Sequence, residues 1–302
     1  MATAPGLPFG VSAFPLTPLA GDRVDEKAFT GLVERLVAAG VDSITVLGST
    51  GSSPYLDRAE RSRVAQLAVR HAGEVPVLVG VGALRTSQVL QHVDDAQAAG
   101  AAGVLLAPVS YQALTDEDVY GLYRDVTAEL SVPLVVYDNP STTHVDFSDE
   151  LYRAIGTLPQ VASVKIPGLP LDPTLAEDRV RQLRALLPEG VSIGIAGDAH
   201  AATGLIAGCE VWYSVIAGTL PDPALALGLA ARSGAAAEAV QRSERLRPLW
   251  DLFAAYGSLR VVAAIAEQLG LVATECLPRP IQGLGPPDRA RVAQVLAELD
   301  LR

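Results

Sequence analysis

Only two of the 23 lysine and arginine residues in this 302-residue chain are lysines, Lys27 and Lys165. Lys27 lies in a polar stretch and reads as solvated. Lys165 closes an apolar run, Val161-Ala162-Ser163-Val164-Lys165-Ile166. Burial disfavours the ammonium form and lowers a lysine's pKa, and a neutral amine can attack a carbonyl carbon and condense to a Schiff base. Two other groups stand in similar settings. Tyr137 ends the run Pro133-Leu134-Val135-Val136-Tyr137, where a phenol can relay protons as a carbinolamine forms and collapses. Gly48-Ser49-Thr50-Gly51 follows Ser43-Ile44-Thr45-Val46-Leu47. Such a turn offers backbone N–H groups and hydroxyls that can hold a carboxylate without a cation. Each group alone has a plainer reading: a capped strand-to-helix turn, a buried aromatic, a lysine snorkelling at a rim. Together they suit a 2-keto acid such as pyruvate. The carbonyl would be held as an imine on Lys165, with no metal or other cofactor required.

These groups need a scaffold that brings them together. Short apolar runs near 9–14, 43–47, 76–81, 103–107, 133–137, 161–165, 191–195 and 211–215 alternate with amphipathic stretches. The stretches near 25–39, 57–71, 86–100, 115 onward, 147–156, 175–187, 199–207 and after 221 predict helices. Their signals are a glycine stop at Gly40, an acidic first turn at Thr115-Asp116-Glu117-Asp118, and Pro221 and Pro223 at a helix start. Apolar strands alternating with helices pair in parallel with both faces covered. At this length a closed (β/α)8 TIM barrel is the natural solution, and reactive groups then stand at the C-terminal ends of its strands. Strands two, five and six would carry the turn, Tyr137 and Lys165 to one mouth. The alternative is an open doubly wound sheet. It would show a glycine-rich fingerprint after the first strand, where Phe14-Pro15-Leu16-Thr17-Pro18 stands instead. The expected organisation is a barrel over 1–234 and an appended C-terminal helical layer over 235–302, with helices near 237–255, 258–270 and 286–301.

Composition bounds the partners. A net charge of −11 argues against nucleic acid or an anionic membrane surface, while leaving room for a small anion in a local field. Cys209 and Cys276 make no disulfide framework and suit a cytoplasmic location. No signal peptide is visible at the N-terminus, and no apolar run reaches membrane-spanning length. Around the mouth, His144 and His200 are candidates for substrate contact or for capping. Tyr213 and Ser214, at strand eight, are candidates for the pocket wall. His200 with Asp198 lacks a third ligand at sensible spacing for a metal.

The sequence resembles the dihydrodipicolinate synthase and N-acetylneuraminate lyase family of class I aldolases over essentially its whole length. The resemblance rests on Gly10 through Thr17-Pro18, Gly48-Ser49-Thr50-Gly51, Tyr137-Asp138-Asn139-Pro140, Lys165 and Gly197-Asp198. It implies that Lys165 is the Schiff-base lysine and Tyr137 the proton-relaying acid/base. It also implies that Ser49, Thr50 and Gly51 hold the keto-acid carboxylate, with Thr50 in the relay as well. Tyr111 would complete a relay from a neighbouring subunit, and the assembly would be a homotetramer. Departures bear on the second substrate. Ser52 stands where the family usually has Glu. Ile166-Pro167-Gly168 is apolar where acidic and hydroxyl residues are common. Thr142 stands where synthases acting on aspartate semialdehyde carry Arg, so an anionic acceptor would lack its cation there. The expected activity is that of a lyase or aldolase on a 2-keto acid, making or breaking a C–C bond with an aldehyde-type acceptor or dehydrating a sugar acid. The alternatives are dihydrodipicolinate synthase proper and a non-catalytic keto-acid-binding barrel.

Overall fold

A computed structural model describes residues 7–301; residues 1–6 and 302, at the outer ends of the two expected units, lie outside the described residues. Eight strands form a closed parallel barrel: β1 (Gly10–Ala13), β2 (Ser43–Val46), β3 (Val77–Gly80), β4 (Gly103–Leu106), β5 (Leu134–Tyr137), β6 (Val161–Ile166), β7 (Ser192–Ile195) and β8 (Val211–Ser214). Each pairs with its neighbours in sequence, and β1 closes on β8 through Gly10↔Val211 to Ala13↔Ser214. The open sheet is therefore excluded, and the (β/α)8 barrel with C-terminal helices is the fold.

Around it run α1 (Glu26–Ala39), α2 (Arg58–His71), α3 (Thr86–Ala99), α4 (Asp116–Thr127), α5 (Asp149–Gly156), α6 (Pro173–Leu186), α7 (Ala201–Ile206) and α8 (Pro221–Arg232). Local chemistry sets their limits. Asp25 caps α1 by accepting from Ala28 N, and Gly40 ends it in the left-handed conformation. Capping boxes, Asp57 with Glu60 and Thr115 with Asp118, open α2 and α4. In α1 the buried residues Phe29, Leu32, Val33 and Leu36 recur at helical spacing and face the barrel.

Two features were not read from the sequence. A small antiparallel hairpin, Leu19–Ala20 with Arg23–Val24, turns at Gly21 with φ +63° before α1. The stretch expected as one helix over 237–255 is two, α9 (Ala236–Arg245) and α10 (Arg247–Tyr256). Pro248 sits in the first turn of α10; proline lacks the N–H that would continue the preceding helix. Beyond Gly257 lie α11 (Ser258–Gln268), bent by 120° from α10, and α12 (Pro286–Glu298). The turn at Asp198–His200, beyond β7, packs against α10, which ties the C-terminal layer to the barrel mouth. Among the described residues no single helix is long and apolar enough to cross a membrane.

The end of β3 is held tightly. Arg61, buried on α2, donates to Gly80 O at 2.9 Å and Gly82 O at 3.0 Å, and burial pulls its guanidinium down to about 10. A Cβ on Gly80 would stand 2.0 Å from Leu47 O, a main-chain atom that cannot step aside alone. Gly80→Ala should therefore lower stability by about 1–3 kcal/mol, as overpacking does. Gly31→Ala, at a helical position with open space around it, should raise stability by about 0.5–1 kcal/mol. Urea unfolding of both variants checks the pair. A neutral Gly80→Ala would show that β3 and the Leu47 turn can separate.

Candidate active site

Parallel register explains why two distant residues meet. Tyr137 and Lys165 are Cα partners across β5 and β6, and the N–H of Asp138 donates to Lys165 O at 3.0 Å, locking the two strand ends together. Lys165 is 3% exposed. Its Nζ lies 3.8 Å from the centroid of the Tyr137 ring, 4.1 Å from that of Phe14 and 5.7 Å from that of Tyr213. The amine thus rests between aromatic faces. Ring faces attract an ammonium, but loss of water opposes it more strongly. Burial brings Lys165 down to about 7, against a smaller upward pull from the Asp198 carboxylate.

Asp198 is fully buried just beyond β7. It accepts from Ser214 Oγ at 2.8 Å and from the backbone N–H groups of Val215 and Ile216. Burial raises its carboxyl to about 6, while these donors and Lys165 act in the opposite sense. Ser214 is accordingly a holder of Asp198 rather than a free pocket group.

Tyr137 is buried, and burial pushes its phenol up to about 12. Hydrogen bonds with Ser49 and Asn139 act against that rise. Asn139 Nδ2 donates to Tyr137 Oη at 2.8 Å and to Thr142 Oγ1 at 2.5 Å, while Ser141 Oγ donates to Asn139 Oδ1 at 2.8 Å. Asp138 points away into the helical layer, accepting from Tyr152 Oη at 2.5 Å.

The Gly48-Ser49-Thr50-Gly51 turn folds back on its own strand. Leu47 has φ +58° and Ser52 φ +53°, and Ser52 N donates to Ser49 O at 3.1 Å. A Cβ on Gly48 would meet the Phe14 ring at 2.9 Å, and one on Gly51 would meet Leu47 N at 2.8 Å. Both glycines answer to close approach. Thr50 is buried and Ser49 exposed, with Ser49 reaching the Tyr137 hydroxyl. The turn, the phenol and the amine therefore form one constellation.

Other expected residues fall elsewhere. Tyr111 is 90% exposed and stands outside this cluster within the chain. Tyr213 lies deeper, its hydroxyl donating to Ser163 Oγ at 2.8 Å inside the barrel, so its ring lines the floor beside Lys165. Thr142 is exposed and tied to Asn139. His144 is exposed with φ +56° at the end of the Pro140–Thr143 turn, a capping position. The His200 ring is half-buried against Gly168, where a Cβ would meet Cδ2 at 2.6 Å. Sequence reasoning missed Phe14 and Asn139. Phe14 ends the first strand candidate, and Asn139 stands two residues after Tyr137; only their place at strand ends signalled them. Among the described residues no three His, Cys, Asp or Glu side chains gather as metal ligands.

A closed barrel whose mouth holds a desolvated amine beneath a buried phenol defines a protein built for amine chemistry on carbonyls. The model of the dihydrodipicolinate synthetase family matches residues 8–299. A 4-hydroxy-tetrahydrodipicolinate synthase from Phenylobacterium zucineum (strain HLK1) is 33% identical over 294 residues, covering 96% of each chain. The crystal structure of a dihydrodipicolinate synthase from Agrobacterium tumefaciens str. C58 superposes with a TM-score of 0.92 at 43% identity, covering 96% of this chain and 98% of that one. A dihydrodipicolinate synthase variant described as monomeric gives 0.90 at 25% identity, covering 98% of both chains. The chain belongs to the dihydrodipicolinate synthetase family, and it is a pyruvate-dependent class I aldolase/lyase.

The buried amine has a thermodynamic signature. Lys165 titrates near 7 in the folded chain, against an ordinary 10.5. Between those values the unfolded chain holds the extra proton, so this group makes stability rise with pH across that window. Below about 7 both states are charged and the full penalty stands. Lys165→Met should be more stable than the parent at pH 6–7, on the order of a few kcal/mol. The gap should narrow toward pH 10. Thermal melts across this range provide the measurement, and a gap independent of pH would mean the amine is not desolvated.

Proposed function

We propose that Lys165 condenses with pyruvate to an imine and that the derived enamine adds to an aldehyde, in a reaction of the dihydrodipicolinate synthase type. The observation that carries this reading is the buried Lys165 amine, titrating near 7, against the Tyr137 ring. At neutral pH about half of it is the nucleophilic free base, by the definition of a pKa. The amine adds to the keto carbon, and the carbonyl oxygen takes up a proton. The carbinolamine hydroxyl then leaves as water on receiving a second proton, which Tyr137 supplies. Burial keeps that phenol protonated throughout the working pH range. Loss of a methyl proton from the protonated imine gives the enamine, whose carbon attacks the acceptor. The Ser49 and Thr50 hydroxyls and the N–H groups of the turn, Gly51 included, hold the keto-acid carboxylate.

Aspartate semialdehyde is the acceptor that this reading specifies. Its support is the shared name of the relatives, 4-hydroxy-tetrahydrodipicolinate synthase. That name favours the synthase over the broader expectation of sugar-acid cleavage or dehydration. One observation favours a second reading. Thr142 is neutral and its hydroxyl already accepts from Asn139, so a neutral hydroxyaldehyde would meet no unmatched cation there.

Borohydride reduction with pyruvate, followed by peptide mapping, tests the imine. A pyruvyl adduct is expected on Lys165 and none on Lys27, with a trapping rate that rises as pH passes through about 7. Trapping absent from Lys165 would favour a barrel that binds keto acids without chemistry. The same preparation is then offered aldehydes. Turnover best with aspartate semialdehyde supports the synthase, and best with neutral hydroxyaldehydes supports the second reading.

Assembly as a homotetramer in the cytoplasm completes this reading. Its support is the exposure of Tyr55, Leu84 and Tyr111 on three successive loops of the mouth, since large apolar groups gathered at a surface favour contact between copies. Light scattering should return about four times the 31.4 kDa of one chain. A mass of one chain would remove both the tetramer and any role for Tyr111 in a partner's site.

A further inference from the structure

We propose that Asn139 is the positioning residue of Tyr137. It would hold the phenol oxygen so that its proton faces Ser49, and it would stabilise the phenolate left when that proton is given up. This inference rests on the reading of Tyr137 as proton carrier given above.

Asn139 Nδ2 reaches Tyr137 Oη at 2.8 Å. A carboxamide nitrogen only donates, so this contact occupies a lone pair of Oη and turns the Tyr137 proton elsewhere. The other side-chain neighbour of that oxygen is Ser49, on the turn proposed to hold the carboxylate. The carboxamide itself is fixed. Ser141 Oγ donates to Oδ1 at 2.8 Å, which sets the end that faces the phenol. The Asn139 carbonyl accepts from Thr142 N and Thr143 N at 3.0 Å each and from Thr143 Oγ1 at 3.0 Å, which anchors the main chain. Burial makes phenolate formation costly at this site, and the Asn139 hydrogen bond acts in the opposite sense.

The second Asn139 contact explains the neutral residue at 142. Nδ2 also donates to Thr142 Oγ1 at 2.5 Å. A hydroxyl can accept that bond, whereas a guanidinium has no acceptor. Thr142 and Asn139 are therefore a matched pair, and residue 142 acts on the phenol through the carboxamide.

The test needs pyruvate alone. Exchange of its methyl protons into D2O, followed by NMR, requires imine and enamine but no acceptor. Asn139→Asp keeps the shape and the Ser141 contact but loses the N–H; Asn139→Leu removes both. Each should lower the saturated exchange rate about tenfold, the scale of one lost hydrogen bond in a transition state. The half-saturating pyruvate concentration should move less than about twofold. Borohydride trapping on Lys165 should persist in Asn139→Asp, which shows that the site is still folded. In a Tyr137→Phe background neither substitution should cost more, because the partner oxygen is gone. An equal loss in both backgrounds would make Asn139 merely structural and overturn the proposal. So would an unchanged saturated rate, or a loss confined to half-saturation. Tyr137→Phe exchanging at the parental rate would instead remove the phenol as proton carrier, a distinct failure of the underlying reading.

Discussion

The structure turns on the withdrawal of one amine from water. Lys165 sits between the faces of Tyr137 and Phe14 with Tyr213 beneath it, and burial costs the ammonium more than these faces and Asp198 return. Folding a chain around such a group is unfavourable while it is charged, and the rest of the barrel offsets that penalty. The inward layer of Leu7, Leu78, Leu105, Val135 and Val211 is apolar. The larger outer core between strands and helices carries the bulk of the burial. The mouth can be poor in stability because the interior is rich in it.

Asp198 sets a limit on this withdrawal. Burial lowers the amine, and the Asp198 carboxylate acts in the opposite sense. An exposed carboxylate would be screened by water and would pull on the amine less. The protein places a carboxylate at the end of β7 and divides its oxygens among Ser214 and two backbone N–H groups. These donors favour the carboxylate over the acid, so a negative charge stays close to Lys165, and the amine settles near 7. Helix α10, packed on the Asp198–His200 turn, gives the appended layer a part in holding this balance.

Most of the fold could be read in the sequence because period and punctuation agreed. Apolar runs stopped by Gly48, Pro108 and Gly197 are strand ends, and Gly40 and Gly100 end helices in the left-handed conformation. The broken helix at Pro248 was legible in principle, since proline is disfavoured inside a helix, yet the apolar periodicity runs on through it. Lys165, Tyr137 and the Gly-bounded turn were legible by residue type and position. Asn139 was not, because an asparagine before proline has an ordinary role at a turn, and only the folded loop brings its amide onto the phenol. Tyr111 shows the converse. The family resemblance made it a candidate for a relay from a neighbouring subunit, but a single chain leaves it in solvent, and sequence does not say which surface a second copy would cover.

The position of the turn matters as much as its chemistry. In an eight-stranded barrel β2 and β6 lie four strands apart, on opposite sides of the mouth. On the proposed reading, the keto-acid carboxylate is drawn toward β2 while its carbonyl carbon is offered to the amine on β6. The carboxylate is bonded directly to that carbon, so the turn fixes how the keto acid lies over the amine. An arginine clamp would neutralise the carboxylate, but it would also add a desolvated cation to a mouth that already disfavours one. Hydroxyls and N–H groups hold the anion without placing a second cation near Lys165. A neutral turn across the barrel from a neutral amine is thus one solution to a single electrostatic problem, and the two residues most separated in that solution, Ser49 and Lys165, are bridged by Tyr137, which touches both.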